Sequence, residues 1–148
     1  MQQEAIQAAQ AAFKLPDPRE LNALQLAYVG DTIHDLYVRS LLVSRGMKVG
    51  AMHKQAVRMV SAFAQARMLE AIEPELTEEE LDVVRRGRNA QAKHAAPKNA
   101  DPADYSHSTA LEALWGFLYV TGRLDRLDEL IRDAIEKTED VWHKKSSK

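Results

Sequence analysis

Leu21-Asn22-Ala23-Leu24-Gln25-Leu26-Ala27-Tyr28-Val29-Gly30-Asp31 is the stretch on which the fold turns: apolar residues recur at helical spacing, and an acid stands among them. At about 100° of turn per residue, Asp31 falls within roughly 20° of Leu24, Val38 and Leu42, so the spacing predicts a carboxylate pointing inward from a helix. Ser108-Thr109-Ala110-Leu111-Glu112-Ala113-Leu114-Trp115-Gly116 repeats the situation with Glu112. An ionised carboxylate that faces a core is costly unless a donor, a cation or a metal compensates it. Two such acids point to a metal site.

Outward from these two stretches the chain reads as helices, and no segment reads as a strand. Residues 2–13, rich in Ala and Gln, predict a short N-terminal helix that ends before Pro16. Asp17-Pro18-Arg19-Glu20 has the pattern of an N-cap, a proline at the first helical position and a reciprocal glutamate, opening a long helix that runs to about Ser44 and stops at Gly46. A third helix is expected over 50–72, before Pro74, with Met52, Ala56, Met59, Val60, Phe63 and Ala64 at core spacing. Thr77-Glu78-Glu79-Glu80 is a capping box for a fourth, anchored by Leu81 and Val84 and ending near Gly87. Residues 88–104 hold two prolines and no large apolar side chain, the composition of a long loop. A fifth helix is expected over 106–121, with Gly122 as its stop. The sixth, 124–137, gathers Leu124, Leu127, Leu130, Ile131, Ala134 and Ile135 on one side. The expected organisation is an all-α helical bundle over 17–139, preceded by an extension (1–16) and followed by a flexible tail (140–148).

A chain of 148 residues is long enough to bury a core as one domain. It has no cysteine, which excludes thiol catalysis, disulfides and thiolate-bound zinc. No apolar run approaches the ~20 residues of a membrane span, and Met1-Gln2-Gln3-Glu4-Ala5 lacks the basic start of a signal peptide. A soluble cytoplasmic protein is the expectation. The net charge of -2 conceals blocks: six Lys or Arg and no acid over 36–69, seven acids and no base over 70–82, then five Lys or Arg and no acid over 83–100. Such basic blocks suit a phosphate backbone, although solvated helix faces explain the first of them equally well. His34-Asp35 does not make a His-Asp metal phosphohydrolase, which needs a further histidine upstream; none precedes residue 34.

LNALQLAYVGD resembles the signature helix of the ribonuclease III endonuclease domain, and STALEALWGFLYVTG resembles that family's second acidic helix. More narrowly, LAYVGD, VVRRGRNA, PKN and HSTALEALWGFLYVTGR, in that order, resemble the Mini-III ribonucleases, which lack a double-stranded-RNA-binding domain. The resemblance spans 21 to about 135. It implies a helical homodimer that cuts both strands of an RNA duplex, with precursor 23S ribosomal RNA as substrate and magnesium, or manganese in its place, as cofactor. The full ribonuclease III pattern has a glutamate where Ala27 stands and an aspartate where Thr109 stands. The thinner acid set is also that of the Mini-III pattern.

Asp31 and Glu112 are then the candidate catalytic residues and metal ligands, hard oxygen donors for a hard cation. Asp35, one turn after Asp31, is a candidate for a water-mediated contact, with a salt-bridged surface acid as the alternative. Gly30 and Gly116 flank the acids, and either exclusion of bulk at a site or close helix packing accounts for them. Arg85, Arg86, Arg88, Lys93, Lys98 and Asn99 form the candidate RNA-binding set, since duplex RNA is held through phosphates and 2′-hydroxyls more than through base edges. Arg39, Lys54, Arg58 and His107 are second-rank candidates. The competing reading, from another class, is a non-catalytic ribonuclease III-like assembly factor that binds ribosomal RNA or a ribosomal protein.

Overall fold

The computed structural model describes residues 12–92 and 96–142. These residues form α1 (Ala23–Ser44), α2 (Val49–Met59), α3 (Ala62–Ile72), α4 (Glu78–Ala92), α5 (Pro102–Val120), α6 (Leu124–Lys137) and α7 (Glu139–Trp142), with 3-10 turns at Pro18–Glu20 and Glu73–Glu75. No strand occurs among the described residues, as the all-α expectation requires.

Local chemistry moves several of the expected helix ends. Asp17 does cap a turn, its carboxylate accepting from the Arg19 amide at 2.8 Å, but only over Pro18–Glu20. The long helix starts afresh at Asn22. There Asn22 and Gln25 satisfy each other's backbone amides at 2.8 and 2.9 Å, a reciprocal box that the Asp17 turn lacks. The helix expected over 50–72 is two helices, because Ser61 accepts from the Ala64 amide at 3.1 Å and caps α3. The Thr77–Glu80 box forms as expected, and Glu80 also receives Arg126 at 2.9 Å.

The expected 88–104 loop shrinks from both sides. α4 runs through Gly87 to Ala92, and α5 begins at Pro102, where the Asp101 carboxylate accepts from the Ala103 amide at 2.8 Å. Residues 93–95 lie outside the described residues, as does the expected N-terminal helix apart from its last two positions. Residues 140–142, expected in the flexible tail, instead belong to α7. Trp142 is 1% exposed, its ring amine donates to the Ile135 carbonyl at 3.2 Å, and its own carbonyl accepts from Gln55 at 3.1 Å. A six-residue remainder, 143–148, lies outside the described residues.

α5 is the axis of the bundle. Ala110, Leu111, Ala113, Leu114, Trp115 and Leu118 are fully buried, and α1, α3, α4 and α6 pack around them. Each large apolar side chain so buried stabilises by about 1.5–3 kcal/mol. α1 touches this axis backbone to backbone. A β-carbon on Gly30 would lie 1.7 Å from the Glu112 carbonyl oxygen, and one on Gly116 would lie 1.9 Å from the Leu26 carbonyl oxygen. The pairing of Gly30 with 112 and Leu26 with 116 makes the two helices antiparallel. Gly87 plays the same part for α4: a β-carbon there would lie 2.8 Å from the Ala110 α-carbon.

Gly30→Ala and Gly116→Ala should therefore each destabilise the protein by at least about 3 kcal/mol, since backbone atoms cannot move aside as side-chain ends do. In urea denaturation, Gly50→Ala is the control: an added methyl there meets nothing within 4 Å, and stability should change by no more than about 1 kcal/mol.

Candidate active site

Asp31 does not point inward; it is exposed. The buried residues of α1 are Ala23, Leu26, Ala27, Gly30, Ile33, His34, Val38 and Leu42, so the face centres between Gly30 and His34. That centre puts Asp31 roughly 80° away, on the rim of the helix contact. Leu24, 36% exposed, is a misleading marker of the stripe. Glu112 is the more sheltered of the two acids. The glycine crossing brings their helices so close that the two carboxyls meet across it.

Burial, above all, and then the hydrogen bond and charge of Asp31 push the Glu112 carboxyl up to about 8. One further side chain acts the other way. The Gln65 amide on α3 borders Glu112 and favours its ionised form. Gln65 is 2% exposed; its Nε2 donates to the Val60 carbonyl at 3.1 Å, and its Oε1 is buried with no hydrogen-bond partner among the described residues.

Beneath the acids lies a second polar layer. His34 and Trp115 are each 0% exposed. The Trp115 indole donates to His34 Nδ1 at 3.1 Å, and His34 Nε2 donates to the Met59 carbonyl at 3.1 Å. An indole can only donate and a carbonyl can only accept, so the imidazole is neutral with its proton on Nε2. Desolvation holds its pKa below the usual histidine value.

The other candidates separate. Asp35 is ion-paired with Arg39 at 3.1 Å, and among the described residues no three His, Cys, Asp or Glu side chains cluster as a metal shell. Arg85 and Arg86 both pair with Asp82, and Arg88 lies 3.6 Å from Glu73, so these three sit on the outer face of α4 and not in a loop. Lys98 and Asn99 are exposed in the turn before α5; Lys93 lies outside the described residues. Arg58 bonds to Gln55 at 3.1 Å, Lys54 is exposed on α2, and His107 donates from Nδ1 to the Ala103 carbonyl at 2.7 Å. Ala27 and Thr109, where the full family pattern has acids, are both 6% exposed and packed, Thr109 donating to the Tyr105 carbonyl at 3.1 Å.

Sequence reasoning missed Gln65 and the His34–Trp115 layer. Gln65 is a polar residue at a core position between Ala64 and Met68, and His34 and Trp115 each follow an acid by three residues. Both signals are readable once the core face is drawn correctly.

The donor set fits a hard divalent cation that keeps several waters: two carboxylates, one of them short of compensation, beside an amide whose buried carbonyl oxygen lacks a donor among the described residues.

Stability depends on pH through the same pair. Between 4.5 and about 8 the folded chain keeps a proton on Glu112 that the unfolded chain has lost, so stability falls as pH rises through that window. His34 acts oppositely, but only below its ordinary value of 6.5. From pH 6.5 to 8 the Glu112 contribution should therefore stand alone, and metal-free protein should lose thermal stability as pH rises. Glu112→Gln should flatten that slope; an unchanged slope in the variant would overturn the assignment.

The ribonuclease III domain family matches residues 24–123. The Mini-ribonuclease 3 of Symbiobacterium thermophilum is 48% identical over 125 residues, covering 84% of this chain and 95% of that protein. Its counterpart in Brevibacillus brevis is 48% identical over 119 residues, covering 80% and 88%. A crystal structure of a protein from Fusobacterium nucleatum superposes with a TM-score of 0.74 at 26% identity, covering 83% of this chain and 98% of that one. The matched region contains the glycine crossing and both acids that meet over it, and on these similarities the chain belongs to the ribonuclease III domain family and, within it, to the Mini-ribonuclease 3 group.

Proposed function

We infer that this protein is a magnesium-dependent endoribonuclease that cleaves double-stranded RNA as a homodimer, with the stem of precursor 23S ribosomal RNA as its substrate and the cytoplasm as its location. Family membership supports the nuclease class. The observation that carries the site assignment is the acid pair across α1 and α5, in which Glu112 is held near neutrality by burial and by Asp31. No helix among the described residues is long and apolar enough to cross a membrane.

When bound, magnesium supplies neutralisation of the phosphate charge and activation of a water. The protein's own contribution is placement. Asp31, exposed on the rim, is open to an approaching ligand, while Glu112 stands behind it, more sheltered. Glu112 releases its proton when positive charge arrives, so the pair changes from one that shares a proton to one compensated by the cation. Gln65 keeps the Glu112 carboxylate hydrogen-bonded through that change.

Binding of the duplex falls to the basic surface. Arg85, Arg86 and Arg88 exchange their partners Asp82 and Glu73 for phosphates, an exchange with little cost because exposed ion pairs contribute only about 0–1 kcal/mol. Lys98, with Asn99 beside it, is exposed in the turn before α5 and open to a phosphate. The homodimer reading draws on Tyr28, 84% exposed, and Leu24, 36% exposed. Both lie within about 60° of Asp31 around α1. Two strands need two sites, and a two-fold dimer supplies a symmetric pair.

With a perfect RNA duplex and magnesium, Asp31→Asn and Glu112→Gln should each lower kcat by at least about a thousandfold while duplex affinity is kept. A wild-type protein that binds the duplex and never cuts it would favour the assembly-factor reading. Replacing Arg85, Arg86, Arg88, Lys93 and Lys98 together by Gln should weaken duplex binding and flatten the plot of log affinity against log salt by somewhat less than ~1 for each phosphate no longer neutralised. Light scattering at micromolar concentration should give twice the chain mass, and Tyr28→Glu should shift it toward the monomer.

A further inference from the structure

The buried polar layer beneath the acids has a geometry that packing alone does not require. His34 follows Asp31 by three residues and Trp115 follows Glu112 by three residues, so on both helices the ring stands about 60° round from the acid, on the next position inward. The helices are antiparallel at the Gly30 and Gly116 crossing. Helical side chains lean toward their own N-terminus, so His34 and Trp115 lean toward each other from opposite ends of the crossing. They meet in a hydrogen bond of 3.1 Å, and His34 is tied on its far side to the Met59 carbonyl, also at 3.1 Å, just before the elbow that Ser61 caps. Both rings are 0% exposed, so no water competes for these bonds. A glycine crossing by itself permits one helix to slide or roll on the other. A directional bond between side chains one step below the acids removes that freedom.

We propose that His34 and Trp115 are positioning residues, their hydrogen bond acting as a crossbar that sets Asp31 relative to Glu112 and so tunes the affinity of the pair for a divalent cation. The proposal rests on the reading of Asp31 and Glu112 as the metal site. Neither ring touches the phosphate; both act through the helices that carry the acids. Trp115→Phe deletes the indole donor to His34 Nδ1 and keeps an aromatic ring in the core. His34→Gln keeps one acceptor and one donor on a single planar group, as the imidazole does, whereas His34→Leu keeps neither.

The test is Mn2+ binding to the whole protein without RNA, read from the paramagnetic resonance of free Mn2+, together with magnesium dependence of cleavage at saturating duplex. Temperature is set where circular dichroism shows each variant folded. Trp115→Phe and His34→Leu should raise the Mn2+ dissociation constant and the half-saturating magnesium by about tenfold, with the KM for duplex changed by less than about twofold and His34→Gln close to wild type. Val38→Ala, a packing loss one turn further along α1, is the control and should lower the melting temperature without moving metal binding. Unmoved Mn2+ affinity in Trp115→Phe, or an equal shift in Val38→Ala, would overturn the crossbar. If every ring variant fails to fold while Val38→Ala folds, the bond is a stability element and the proposal is also overturned. Wild-type protein that binds no Mn2+ would instead overturn the metal-site reading beneath it.

Discussion

The contact of the α1 backbone with the α5 backbone is the constraint from which the rest follows. A carbonyl oxygen stands where a β-carbon would be, on both sides of the crossing, so Gly30 and Gly116 are demanded by excluded volume and not by conformation. Two helices that approach so closely carry their neighbouring residues into contact as well. Asp31 adjoins Gly30 in sequence, Glu112 supplies the carbonyl against which Gly30 rests, and the two carboxyls are consequently driven together. The repulsion at the rim is thus a product of the same packing that stabilises the core.

Two acids held in this way are in an unfavourable state that the chain resolves by asymmetry. Asp31 keeps contact with solvent, while Glu112, sheltered by α3, takes the burden and is pushed up to about 8. A group poised near neutrality between protonated and ionised forms responds to an arriving cation with a small energetic change. Gln65 and the His34–Trp115 layer set bonded polar side chains beside and beneath the pair. Buried polar groups of this kind are tolerable because each of their ring or amide donors has an acceptor.

Along another flank of α5, where α4 also touches α1, the chain solves a different problem. α4 carries the arginines on its outer face and leans its inner face, through Gly87, on Ala110 and Ala113. Asp82 and Glu73 hold Arg85, Arg86 and Arg88 at the surface in the absence of a ligand. Alternating acidic and basic blocks along the sequence therefore become interleaved partners in space.

The sequence by itself determined the helical class, the capping box at Thr77 and the amphipathic α6, and it singled out the two acids that the fold brings together, because each is written in local spacing, in caps or in motifs read from contiguous residues. It placed the start of α1, the break at Ser61 and the extent of α4 and α5 incorrectly, because competing caps and a glycine inside a helix are resolved by neighbours distant in the chain. It also set Asp31 in the core. Periodicity gives the angle between residues but not the origin of that angle, and Leu24 and Gly30 are equally acceptable centres until α5 is in place. Only the tertiary structure decided that origin, because the backbone contact at Gly30 fixes which side of α1 is inward, and with it the rim position of Asp31, the shelter of Glu112 by Gln65 and the pairing of His34 with Trp115.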